Sequence, residues 1–172
     1  VKNSMQSYDY PLELEHQIIS ALTACNAEAA ITSMRQVFRQ NDGVVGEMRQ
    51  YLMMDLAGTI IKAASVVGNP TLAADIRLAD ISAGGDEPQL EAHAKEFCER
   101  LAAERQDTTQ HKRLIKKVRE YVDAEYANPD LNVSRIGEQF SMTPAYLSSL
   151  FRDETGLSLL GYINTCRVKQ AK

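Results

Sequence analysis

The sequence predicts an all-α fold, a helical bundle followed by a helix-turn-helix subdomain. Apolar residues recur at three- and four-residue intervals through most of the 172 residues, and no stretch keeps the two-residue alternation of a strand for long. Gly, Pro and Asn cluster at a few points between these periodic runs, where they break helices. Residues 134–156, SRIGEQFSMTPAYLSSLFRDETG, read as a short helix, a tight turn and a second helix, with Ile136 and Phe140 set beside Leu147, Leu150 and Phe151.

Taken in order, residues 1–9 are an entry segment, and Pro11 opens a helix carrying Leu12, Ile18, Ile19 and Leu22. Glu13 and Glu15 sit in its first turn, where the helix dipole favours carboxylates. A second helix over 27–39 aligns Ile31, Met34, Val37 and Phe38, and Asn41-Asp42-Gly43 stops it. The third and longest, over 44–67, carries Val45, Met48, Leu52, Leu56, Ile60 and Ala64; it is apolar around much of its circumference, as the centre of a bundle would be. Gly68-Asn69-Pro70 breaks it, a shorter helix follows over 71–81, and SAGGDEP is a turn. Periodicity resumes over 88–104 through Leu90, Ala94, Phe97, Cys98 and Leu101. A domain boundary is expected near 106–110, where the chain either breaks or runs on as a nearly continuous helix. The set Leu114, Ile115, Val118, Tyr121, Val122 and Tyr126 then lines one face until Asn128-Pro129. Residues 10–106 thus form an α-helical domain, and 111–172 a second one containing the helix pair 132–156.

Capping chemistry marks the boundaries of that pair. Asn132 is an N-cap for the first helix; Thr143 followed by Pro144 is an N-cap and a first position where a missing N–H costs nothing. Gly156 can take the left-handed conformation that ends the second helix, with Leu157 expected to close it hydrophobically and Ser158 to cap a further helix over 158–172.

A net charge of −4 conceals an asymmetry. Residues 1–110 hold 9 Lys+Arg against 16 Asp+Glu, a balance of −7, whereas 111–172 hold 10 against 7, a balance of +3. Only the second part can approach phosphates unaided. Cys25, Cys98 and Cys166 are odd in number and far apart, which argues against a disulfide framework or zinc site and for reduced thiols. The most apolar run, 52–68, is interrupted by Asp55 and Lys62 and reads as a buried helix, and no signal peptide is visible. The expected location is the cytoplasm. Because the chain opens without Met and closes on RVKQAK in mid-helix, it is expected to be a piece of something longer.

No enzyme signature stands out. His16, His93 and His111 lack metal-ligand spacing, Glu13 and Glu15 point to different helix faces, and Gly84-Gly85 lacks the rest of a phosphate loop. No catalytic residue, metal or cofactor is expected.

The stretches NPDLNVSRIG, TPAYLSSLFRDETG and GYINTCRVKQAK resemble the first half of an AraC/XylS-type bacterial DNA-binding domain, over about 60 residues from Leu114 onward. The resemblance implies a homeodomain-like helix-turn-helix at 132–156 and a connecting helix at 158–172 leading towards a second reading unit. Two positions depart from the family pattern. Ser141 stands where Gly is common, at a cost of about 1 kcal/mol if the backbone there is left-handed, and Gly137 replaces the usual Ala. More weakly, YPLELEHQIISAL and LMMDLAGTIIKA resemble the helical segment that, in large AraC-type regulators, joins an upstream sensor or receiver to the reader, sometimes in a membrane-anchored parent chain.

With Leu147, Leu150 and Phe151 turned inward, the recognition helix 143–155 would offer Pro144, Ala145, Ser148 and Ser149 to base edges in the major groove. Arg135, Thr143, Tyr146 and Arg152 are the expected phosphate contacts. Lys112, Arg113, Lys116, Lys117 and Arg119 either widen that footprint or form a solvated face supported by pairs such as Lys116 with Glu120. The expected partner is double-stranded DNA, with a homodimer through the N-terminal helices as a second possibility and no membrane contact. The alternative is a helical dimerisation or signal-coupling module with little DNA affinity of its own.

Overall fold

The computed structural model describes residues 7–170, and these contain helices and no strand. Residues 1–6 of the expected entry segment and 171–172 of the expected connecting helix lie outside the described residues. The helices are α1 (Leu12–Thr23), α2 (Ala27–Gln40), α3 (Glu47–Val66), α4 (Leu78–Ser82), α5 (Glu87–Glu125), α6 (Val133–Gln139), α7 (Pro144–Thr155) and α8 (Leu159–Gln170). The chain divides into two compact units, Val1–Glu104 and Arg105–Lys172. No helix is long and apolar enough to cross a membrane among the described residues.

In the first unit Ile18, Leu22, Met34, Leu52, Leu56, Ile60 and Phe97 are fully buried, joined by further apolar residues of α1, α2, α3 and the first half of α5. Cys25 closes α1 in a left-handed conformation (φ 59°), which lets Asn26 Oδ1 accept the Ala29 N–H at 3.1 Å and start α2. Fixed pairs set the edge of this core. Arg35 forks onto Glu91 with both bonds at 2.7 Å, and those hydrogen bonds hold the Glu91 carboxyl below its usual range. Arg100 donates to Asp75 at 2.8 Å and to the Thr71 carbonyl at 3.0 Å.

The segment before α1 is strapped down by polar groups. Buried Asn41 accepts the Asp9 N–H at 2.7 Å through Oδ1 and donates through Nδ2 to the Asp9 and Val37 carbonyls. The Tyr8 hydroxyl donates to Asp55, and the Tyr10 hydroxyl lies 2.8 Å from buried Thr59 Oγ1. Every polar atom of the Asn41 side chain is thereby satisfied inside the core.

Three expectations change, and one alternative is decided. α3 starts at Glu47 rather than 44, because Gly46 is left-handed (φ 62°); Val44 is buried ahead of it, and Val45 is 58% exposed. Leu12, at the mouth of α1, is 59% exposed, and Leu14 takes its place in the core. The single helix expected over 71–81 is two pieces: Asn69 Oδ1 accepts the Thr71 N–H to start a 3-10 turn, Pro70–Ala73, and extended Arg77 delays α4 to Leu78. Across 106–110 the chain is helical, within α5.

In the second unit Ile115, Val118 and Val122 of α5 meet Leu131, Ile136, Leu147, Leu150, Phe151, Leu159 and Ile163. Arg167 on α8 stitches the loop after α5, donating at 3.1 Å to the carbonyls of Tyr126, Asn128 and Leu131. A cation there also complements the carbonyl end of α5.

Asn41→Ala should leave the Asp9 amide without its acceptor and destabilise the first unit by about 2 kcal/mol; hydrogen exchange at Asp9 should accelerate far more than at α2 amides. Arg167→Gln should cost the second unit about 2 kcal/mol by orphaning loop carbonyls, read as a lower denaturant midpoint.

Candidate functional site

The best-defined local geometry in the second unit is the α6–α7 corner. α6 begins where Asn132 Oδ1 accepts the Arg135 N–H at 2.9 Å, and α7 begins where Thr143 Oγ1 accepts the Tyr146 N–H at 3.3 Å, with Pro144 at the first helical position. Both caps supply acceptors that the helix starts themselves lack. Between them Ser141 is left-handed (φ 56°), and the Met142 N–H reaches back to the Gly137 carbonyl at 2.8 Å. A Cβ on Gly137 would stand 2.6 Å from the Met142 carbonyl oxygen. The turn can fold back this tightly on α6 only if residue 137 has no side chain.

Aromatic contacts fix the corner against its neighbours. Tyr121 meets Phe140 edge-on at 5.9 Å, and Phe151 lies tilted on Tyr162 at 5.5 Å. Gly156 ends α7 in the left-handed conformation (φ 75°), its N–H bonded to the Arg152 carbonyl at 2.8 Å. Leu157, expected to close this end hydrophobically, is instead 57% exposed, and Thr155 satisfies its N–H at 3.2 Å. Ser158 Oγ accepts the Gly161 N–H at 3.0 Å at the start of α8.

With Leu147, Leu150 and Phe151 buried, the opposite side of α7 is left to solvent. Pro144, Ala145, Ser149 and Arg152 are exposed there and Ser148 is half-buried. This face carries a methyl, two hydroxyls and a guanidinium, with the exposed carboxylate of Asp153 one turn beyond Ser149. Thr143 and Tyr146 lie exposed at its amino end, and Arg135 lies exposed in the first turn of α6. Arg152 makes no ion pair among the described residues. Arg135 stands 4.0 Å from Asp130, a surface pair of little strength, so its guanidinium is available to an anion. The Tyr146 hydroxyl lies 3.4 Å from His111 Nε2. That link joins residues 35 apart in sequence, and no pattern around His111 announces it.

The basic residues of α5 are exposed, and part of their charge is spent locally. Lys116 lies 3.9 Å from Glu120, and the Arg119 guanidinium sits 5.5 Å over the Tyr162 ring. Lys112, Lys116 and Arg119 share an open groove with Glu120, Asp123 and Glu154, a mixture that favours no single sign of ligand. Nearby, Asp123 Oδ1 accepts from the Tyr162 hydroxyl at 2.8 Å and from the Cys166 thiol at 3.4 Å. Burial, reinforced by that carboxylate, pushes the Cys166 thiol up. Burial also pushes the Cys98 thiol up to about 11, so neither sulfur is an activated thiolate. Among the described residues no group of three or more His, Cys, Asp and Glu side chains could hold a metal ion.

Ser141→Gly should stabilise the second unit by about 0.5–1 kcal/mol, since glycine relieves the left-handed strain. Gly137→Ala should cost about 2 kcal/mol, since backbone rather than a mobile side chain blocks the new methyl. Denaturant unfolding of the two variants checks the opposite signs. No protein-family model, curated protein or solved structure matches the chain.

Proposed function

We propose that the second unit is a helix-turn-helix reader of duplex DNA, the first half of an AraC-type domain, with α7 entering the major groove. The observation that carries this reading is the outer face of α7, where Pro144, Ala145, Ser149 and Arg152 are exposed while Leu147, Leu150 and Phe151 are buried behind them. The start of α7 supports it as well, because with the Tyr146 N–H taken by Thr143 Oγ1 and none on Pro144, the Ala145 N–H and the positive end of the helix dipole remain for a phosphate that approaches.

On this reading, the Ala145 methyl and the Ser148 and Ser149 hydroxyls touch base edges, and Arg135, Thr143, Tyr146 and Arg152 set register on the backbone. Hydroxyls and a methyl make none of the bidentate pairs that discriminate strongly, so most of the affinity is electrostatic. The first unit, at −7 over residues 1–104, then takes the role of coupling an upstream sensor or receiver to the reader of a cytoplasmic transcription regulator.

The test is duplex binding followed by fluorescence anisotropy across a salt series. Affinity should fall steeply as salt rises, and Arg152→Ala should shallow the slope of log affinity on log salt by about 1. A chain that ignores duplex DNA at low salt, or an Arg152→Ala slope equal to that of the parent, would rule the reading out.

A further inference from the structure

The first unit poses a different question on α3. Gly58 sits in the interior of that 20-residue helix, where glycine weakens a helix relative to alanine. It has an ordinary backbone conformation, and among the described residues a Cβ built on it meets nothing within 4 Å, so neither a turn nor their packing requires it. At 3.6 residues per turn, Gly58 falls at the middle of the exposed side of α3, between exposed Tyr51, Asp55 and Lys62 and half-buried Met54 and Ile61.

These residues are self-complementary. Met54 and Ile61 lie on one flank of the Gly58 line, and Asp55 and Lys62 lie on the other. Asp55 precedes Gly58 by about 4.5 Å along the axis and Lys62 follows it by about 6 Å, with Ile61 and Met54 at the mirrored heights. A two-fold axis at Gly58 that runs a second α3 antiparallel to the first keeps each flank on its own side and inverts height. Asp55 of each copy then meets Lys62 of the other, and Met54 of each meets Ile61 of the other.

We propose that this face of α3 is the seam of a homodimer, with Gly58 at the crossing, where the missing side chain lets two helix backbones approach. The occupant is a second copy, because a two-fold interface must be complementary to itself and this face is so in both charge and apolar contact. The charges keep capacity for the contact. Among the described residues Asp55 accepts from Tyr8 through Oδ2, and Lys62 gives one of its three N–H groups to Glu15 while its side chain stays 64% exposed. The inference is independent of DNA binding.

Sedimentation equilibrium over a concentration series tests it. The chain should dimerise reversibly. Gly58→Leu should abolish the dimer, and since no described residue lies within 4 Å of a Cβ at position 58, the folded monomer should keep its circular dichroism. Asp55→Lys, which sets lysine against lysine at two symmetric places, should weaken the dimer about tenfold. The swap Asp55→Lys with Lys62→Asp should restore it. A chain that is monomeric at every concentration overturns the proposal, as does a dimer indifferent to Gly58→Leu or to Asp55→Lys.

Discussion

Each of the two cores depends on α5 for a wall. α6 has 7 residues and α7 has 12, too few to bury a core between themselves. Ile115, Val118 and Val122 supply the missing apolar face in the second unit, and Leu90, Ala94, Phe97 and Leu101 do the same in the first. Between Leu101 and Ile115 no α5 residue is buried, so that stretch is held by its helical hydrogen bonds and the polar contacts of its side chains. Fully buried Phe97 and Val118 each sit among residues contributed by other helices, Phe97 in the first core and Val118 in the second.

Within the second unit, the tight turn decides which side of α7 faces out. Gly137 lets the Met142 carbonyl come close, Ser141 accepts a strained φ, and the Thr143 cap then starts α7 with Leu147 aimed inward. A larger residue at 137 would open the corner and rotate α7 on its axis. The residues presented outward would change even though no exposed residue had been substituted. Position 137, which is buried, therefore has as much say over the outer surface as Ser149, which is exposed.

What was legible in the sequence was mostly local chemistry. The Asn132 and Thr143 caps and the Gly156 stop each act within a few residues, and the spacing of Leu147, Leu150 and Phe151 gives the buried side of α7 directly. Periodicity was less reliable at helix ends. Leu12, Val45 and Leu157 all match an apolar pattern, yet each sits where its helix has run out of neighbours. Gly46 and Arg77 show a second limit, because one backbone angle moved the start of α3 and of α4. The Arg167 contacts reach 36 to 41 residues back to main-chain carbonyls, which have no residue identity to read. Likewise, the pairing of Tyr146 with His111 is a consequence of packing, not of spacing.

The two proposals bear on one another through affinity. A face of small hydroxyls with a single guanidinium offers little base discrimination, and one reading module contacts only about 600–1,000 Å². Such a reader gains most from being joined to another, because once one module is bound the second binds at an effective concentration set by the connection and not by the bulk. Joining two copies through the first unit would serve that end without adding any contact to DNA. A glycine that weakens α3 in the isolated chain then has a physical rationale at the level of the pair, where close approach of two backbones offsets the helix propensity lost in each.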